Sequence, residues 1–140
     1  MAEDYISYVI TDAGSNIMAR IVAGENITFK RFAIGDGYEY NMDNYLTKTE
    51  LVHEVLSVPI DTMTIQNNDV VTLLGAFSTS DLEKSFWYRE LGIYIYDPED
   101  ETKEILYAYG NRNDMAEYLT PHVDNYQIKK DKIDLLDSLS

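Results

Sequence analysis

Phe86 to Asn111, FWYRELGIYIYDPEDETKEILYAYGN, decides how this chain folds. Ile93, Tyr94, Ile95 and Tyr96 form a β-branched and aromatic run, which suits a pleated, half-buried surface. Side chains alternate along a strand. Leu91, Ile93 and Ile95 therefore point to one face, and Glu90, Gly92, Tyr94 and Tyr96 to the other. Asp97-Pro98 stops the run, because proline cannot extend a hydrogen-bonded ladder. Glu99, Asp100, Glu101 and Thr102 read as an acidic, solvated loop. Ile105 to Tyr109 restarts the alternation, and Gly110-Asn111 ends it. The pattern predicts a β-hairpin.

On the N-terminal side, Ile6 to Ile10 reads as a short lead-in strand. Thr11 and Asp12 are helix-starting residues. Ala13, Ile17, Met18, Ile21 and Val22 then recur at helical spacing, and Gly24 suits the position past the helix end. Asp12 to Ala23 is thus an amphipathic helix with a core-facing stripe and a local weakness at Gly14. Ile27 to Ile34 reads as a strand. Ile27 and Phe29 are out of phase with Phe32 and Ile34, which predicts a bulge near Lys30-Arg31. Gly35-Asp36-Gly37 predicts a tight turn with positive φ at one glycine or both. A phosphate loop is a poor reading there, since no lysine, second glycine set or helix start follows.

Tyr38 to Leu46 lacks a period and reads as a surface loop. Thr47 to Glu50 fits a capping box, predicting a helical turn or two through His53. Val55 to Ile65 reads as one long strand, with Pro59 at an edge or bulge. Gln66 to Asp69 is a turn cluster. Val70 to Ser78 is a strand with Val71, Leu73 and Phe77 on one face, pairing back as an antiparallel hairpin. Beyond Asn111, Asp114 to Leu119 suggests a helical turn that Pro121 breaks. From Val123 the chain is charged, with Ile128, Ile133, Leu135, Leu136 and Leu139 spaced for a short helix. It reads as an exit arm ordered only against another subunit. The fold class is α+β: an N-terminal helix packed on a mostly antiparallel sheet of about five strands, with a C-terminal exit arm.

Composition narrows the function. The 140 residues fit one domain with a real core. Acidic residues outnumber basic ones 25 to 11, for a net charge of −14. Phosphate backbones and anionic membrane surfaces would repel such a chain, so nucleic acid is excluded and a basic protein surface favoured. The absence of cysteine removes disulfides, thiolate metal sites and thiol nucleophiles. No apolar run reaches the roughly 20 residues of a membrane helix. The acidic start MAEDYISYVI is not a signal peptide, and no membrane insertion is expected.

Catalytic motifs are missing too. His53 and His122 stand alone, and no nucleophile elbow, zinc-binding helix or Walker pattern occurs. No catalytic, cofactor-binding or metal-binding residue is assigned, and no enzyme activity is expected. Arg89 and Glu90 point to opposite faces, and the expected role is an ion pair that fixes strand position. The hairpin carries more aromatic surface than one small sheet covers. Tyrosine favours interfaces, so a contact is expected among Trp87, Arg89, Tyr94, Tyr96, Tyr107 and Tyr109.

Several motifs stand in a fixed order: Thr11-Asp12-Ala13-Gly14, Ile34-Gly35-Asp36-Gly37, Leu51-Val52-His53-Glu54-Val55 before Pro59-Ile60, Phe86-Trp87-Tyr88-Arg89-Glu90-Leu91-Gly92, Tyr96-Asp97-Pro98, and Ile105-Leu106-Tyr107-Ala108-Tyr109-Gly110-Asn111. Over roughly residues 5–120 the chain resembles the N-terminal domain of phage tail-collar fibre proteins. The resemblance implies a virion structural module, residues 1–120, that joins a fibre to the baseplate of a contractile phage tail or tailocin. Residues 121–140 would be an arm or the start of a shaft. It also implies baseplate or tail subunits and fibre protomers as partners, a homotrimer, a role in host attachment, and assembly in the host bacterial cytoplasm. A tail-associated glycan hydrolase and a fibre-assembly adaptor are the alternatives.

Overall fold

The hairpin lies at the centre of a five-stranded antiparallel sheet. The computed structural model describes residues 8–22, 28–66, 70–78, 82–121 and 125–134. The chain runs β1 (Tyr8–Ile10), α1 (Asp12–Val22), β2 (Phe29–Gly35), α2 (Met42–Leu46), β3 (Glu54–Pro59), β4 (Thr62–Gln66), β5 (Val70–Ser78), β6 (Phe86–Tyr88), β7 (Glu90–Asp97), β8 (Asp100–Asn111), β9 (Glu117–Leu119) and β10 (Asn125–Asp134). The main sheet has the order β1-β8-β7-β2-β3, a second sheet β10-β5-β4, and a two-stranded ribbon β6-β9. Every pairing is antiparallel.

The β7–β8 hairpin is tighter than the sequence suggests. Asp97 pairs with Asp100, so the acidic residues from Asp100 onward belong to β8. Asp97 and Asp100 side chains accept the amides of Glu99 and Thr102, which fixes the turn locally. The bulge expected in β2 is present: its register against β7 shifts between Phe29 and Arg31. A second bulge lies in β8. Ile93 pairs with Ala108 but Tyr94 with Leu106, so Tyr107 is the extra residue. Tyr107 and Ala108 consequently both join the core on the face of Leu91, Ile93 and Ile95.

That first face carries the larger core. Phe32 and Ile34 from β2, Val58 from β3 and the β7 and β8 residues meet Ile17 and Met18 of α1, Leu73 of β5, Phe86 and Tyr88 of β6, and Leu119 of β9. Helix α1 starts at Thr11, whose side-chain oxygen accepts the Gly14 amide at 2.9 Å. The Thr11 hydroxyl also donates to the Leu106 carbonyl at 2.6 Å, and the Thr11 amide to the Tyr107 carbonyl at 3.0 Å. The helix thereby docks on the bulge. Gly14 has a packing reason rather than being a weakness: a Cβ there would collide with the Tyr107 carbonyl oxygen.

Several expectations are corrected. Tyr38 to Leu46 is not all loop: α2 forms inside it, capped by Asn41, whose side chain accepts the Asp43 amide at 2.9 Å. The capping box at Thr47 starts no helix, because Thr47 already ends α2. The long strand from Val55 to Ile65 is two strands in different sheets, broken at Ile60-Asp61. β3 does lie at an edge, as Pro59 requires. Asp114 to Leu119 divides into a 3-10 turn, Asn113–Met115, and strand β9. The expected C-terminal helix is strand β10, hydrogen-bonded to β5 within the same chain; β5 offers it an open ladder, which a lone short helix lacks. Ile6, Ile27, the turn at 67–69, His122 and residues 135–140 lie outside the described residues.

Candidate interaction surface

The motif segments converge on one buried carboxylate. Glu90 is fully buried at the start of β7. It accepts the backbone amides of Gly37 at 3.0 Å, Val52 at 2.7 Å and His53 at 3.0 Å. The Tyr109 hydroxyl donates to it at 2.5 Å. A buried carboxylate requires such a shell to replace water. The two glycines follow from it. Neither lies in the left-handed region; instead, a Cβ on Gly35 would strike the Glu90 carboxylate and the His53 carbonyl, and one on Gly37 would lie 2.5 Å from Val52 Cβ. The expected positive φ is thus replaced by close approach of backbone to carboxylate. Positive φ occurs instead at Asn113, at 50°.

Tyr109 links this shell to β8. Burial, and then its bond to Glu90, raise its hydroxyl pKa above the ordinary tyrosine value. Asn111 donates to the Tyr109 oxygen at 2.9 Å and to the Gly37 carbonyl at 3.0 Å. Asn113 clamps Glu39, accepting its amide and donating to its carbonyl, each at 2.9 Å. Tyr45 from α2 packs edge-on against Tyr109, with ring centres 5.1 Å apart. With Ala33, Leu51, Tyr94 and Leu106 these rings make a second core on the other face of the sheet. The second face is therefore covered by the chain's own segment 36–53, whose sequence suggests a solvated loop and a short helix.

Arg89 does not pair with Glu90. It is almost wholly buried and donates to the carbonyls of Asp36 at 2.9 Å and Asn113 at 2.6 Å. Its guanidinium lies 3.8 Å from the Tyr38 ring centre and 5.8 Å from that of Trp87. The two do face opposite sides as expected, but the expected ion pair is replaced on each side by a neutral shell, carbonyls around Arg89 and amides with a phenol around Glu90, because folded backbone stands nearer to each than any opposite charge.

Above Arg89 lies an exposed aromatic strip. Trp87 is 46% exposed and Tyr118, its cross-strand partner on β9, 52%. Their rings are 4.8 Å apart. Tyr38 stacks on Tyr40 at 5.5 Å, and the Tyr40 hydroxyl donates to Asp114 at 2.6 Å, pushing its pKa up to about 12. Met115, 81% exposed, follows Asp114 directly. Contiguous exposed aromatics on a fixed scaffold suit a protein contact.

Of the six residues expected at an interface, Trp87 and Arg89 come together here. Tyr107 and Tyr109 are fully buried and Tyr94 nearly so, occupied by the two cores. Tyr96 is half-buried elsewhere, with the Lys30 ammonium 5.4 Å from its ring centre. Tyr38, Tyr40, Met115 and Tyr118 carry no interface signal in the sequence, since pairing of β6 with β9 is what brings Tyr118 beside Trp87.

A second charged cluster lies farther along the second face. Arg31 grips Glu104 with two nitrogens at 3.0 and 2.8 Å and Glu54 at 2.7 Å, while Lys30 reaches Glu104 at 2.9 Å. The bonds from Arg31 hold the Glu104 carboxyl down at about 2. Arg31 also sits 4.2 Å over the Tyr94 ring. His53 Nδ1 meets Asp36 at 2.6 Å on an exposed loop. Among the described residues no group of three or more His, Asp or Glu is gathered for a metal, and no helix is long and apolar enough to cross a membrane.

A mostly antiparallel domain with a polar hub spent on structure and an aromatic strip on its surface is, as a class, a structural and interaction module. The chain belongs to the phage tail-collar fibre protein N-terminal family, whose model matches residues 1–115. That membership makes it a phage tail fibre component, located with the virion tail. No curated protein and no solved structure matches the chain.

Proposed function

We propose that this domain attaches a tail fibre to the baseplate of a contractile phage tail or tailocin, as a homotrimer, and contributes to host attachment only through the fibre it holds. Residues 1–120 form the attachment unit, and 121–140 lead toward a fibre shaft, with β10 footed on β5. Assembly takes place in the host cytoplasm. The observation that carries the reading is family membership across most of the chain. The exposed strip of Trp87 and Tyr118 agrees with it, as does the use of the motif residues Glu90, Arg89 and Tyr109 for structure rather than chemistry. Glycan hydrolysis gains no support from Glu54 and Glu104, which meet at Arg31 and are both engaged by it.

Electron microscopy of particles assembled without this chain tests the reading. Intact tails that lack fibres are expected, with the wild-type chain restoring them. Normal fibres on such particles would refute attachment. Fibres restored by a chain that is itself missing from the finished particle would point to an assembly adaptor.

A further inference from the structure

We propose that Trp87, Tyr118, Tyr38 and Met115 form the face that docks a basic, arginine- or lysine-bearing segment of another tail protein. The proposal rests on the attachment reading and supplies its contact. Charge on this side of the molecule is segregated. Arg89 is drawn inward under Tyr38, with two of its nitrogens bound to backbone carbonyls. The Arg112 side chain is only 12% exposed and lies 4.8 Å over the Tyr88 ring. Asp114 remains exposed beside Met115, whereas Glu117 lies on the other side of β9 from Tyr118, across from Tyr88, and pairs with Arg112 at 3.5 Å. The surface thus presents aromatic faces, a thioether and the Asp114 carboxylate outward, on a chain of net charge −14. Cationic side chains satisfy both parts of it, stacking on the rings and pairing with Asp114.

A second copy of this chain fits less well. At −14 net charge, a second copy would meet repulsion at this acidic face, whatever contacts hold the proposed trimer together elsewhere. Anionic surface glycans meet the same repulsion. The strip also sits on a stiff base, because Asn113, Glu39 and the Glu90 shell fix the segments that carry it. Little ordering cost is left for docking.

The test uses the full chain and purified tail particles lacking their fibres, with affinity measured across a salt series. The wild type should bind, and binding should weaken about tenfold or more from low to high salt, as a contact between opposite charges requires. Trp87→Ala with Tyr118→Ala should weaken binding about thirtyfold, the scale of a hot-spot pair. Asp114→Lys, which removes the acid and the acceptor of the Tyr40 hydroxyl but deletes no ring, should weaken it about threefold to tenfold. Met63→Ala, exposed on a different sheet, should bind like wild type. Circular dichroism and thermal unfolding confirm that each variant is folded. If the double variant is unfolded, Asp114→Lys and Trp87→Phe carry the test, and wild-type binding by both overturns the proposal.

Full binding by a folded double variant overturns this surface and leaves attachment standing. Failure of the wild type to bind overturns both. Salt-independent binding, or loss of self-association rather than particle binding in sedimentation, overturns the basic partner. Variants that lose only binding to purified host glycan overturn it as well.

Discussion

Glu90 and Glu104 are carboxylates on the paired strands β7 and β8, and the fold treats them in opposite ways. Glu90 is sealed in and held by three backbone amides and a phenol. Glu104 is partly open and held by two cations, Arg31 and Lys30. The difference is one of available partners. At the Glu90 end, the segment 36–53 folds over the sheet and turns its amides inward, so neutral donors arrive with their own backbone. At the Glu104 end nothing among the described residues covers the carboxylate in that way, and long cationic side chains from the β2 bulge reach across. Lys30 and Arg31 can both reach Glu104 because the bulge brings neighbouring residues to one side. The neutral shell orders a whole loop. The ionic cluster pins side chains already attached to a strand.

This contrast is open to direct attack. Glu90→Ala should be the most damaging change, since it strands three amides and the Tyr109 hydroxyl in a dry site. A loss on the order of 4 kcal/mol is expected in urea unfolding, against about 1 kcal/mol for Glu104→Ala. Equal losses would break the distinction. Gly37→Val should cost roughly 3 kcal/mol by crowding Val52 and the Glu90 carboxylate. Gly14→Ala sharpens the same point. Helix propensity alone predicts a gain of about 1 kcal/mol, whereas contact with the Tyr107 carbonyl predicts a loss of roughly 1–3 kcal/mol. A gain would show that α1 can move off the sheet.

Acid separates the sites further. In the folded protein Glu104 titrates at about 2, against an ordinary 4.5. As pH falls the unfolded chain takes up this proton first. The contribution of Glu104 is therefore fully present above about pH 4.5 and lost as pH falls through about 2. Glu104→Gln should flatten that part of the stability profile in acid denaturation, and an unchanged profile would discount the cluster. The smallest effect belongs to Tyr107, whose buried hydroxyl has no hydrogen-bond partner and whose ring packs edge-on to Phe29 at 5.4 Å. Tyr107→Phe keeps the ring and removes the orphan, so stability should hold or rise by up to about 1 kcal/mol. A clear loss in thermal unfolding would mean that the hydroxyl is satisfied in solution.

Alternation and turn chemistry by themselves determined the hairpin, the helix start at Thr11 and the β2 bulge, narrowed Pro59 to an edge or a bulge, and indicated that Val70 to Ser78 pairs back antiparallel, though not that β3 and β4 are separate strands. Each depends on neighbours a few residues apart, where side-chain direction follows from backbone period. The ordered motifs were also enough to indicate the tail-fibre family. Sequence did not show that β10 would extend the second sheet, that β9 would meet β6, or that segment 36–53 would cover the tyrosine face. Those outcomes depend on which ladder edge or sheet face is left open once the other elements have packed. For the same reason Tyr94, Tyr107 and Tyr109 could be recognised as large amphipathic side chains in need of cover, while the source of that cover could not. Gly35 and Gly37 were legible as required glycines. The reason, a carboxylate arriving from more than 50 residues away in the chain, exists only in the tertiary structure, because only there does Glu90 stand against the backbone it binds.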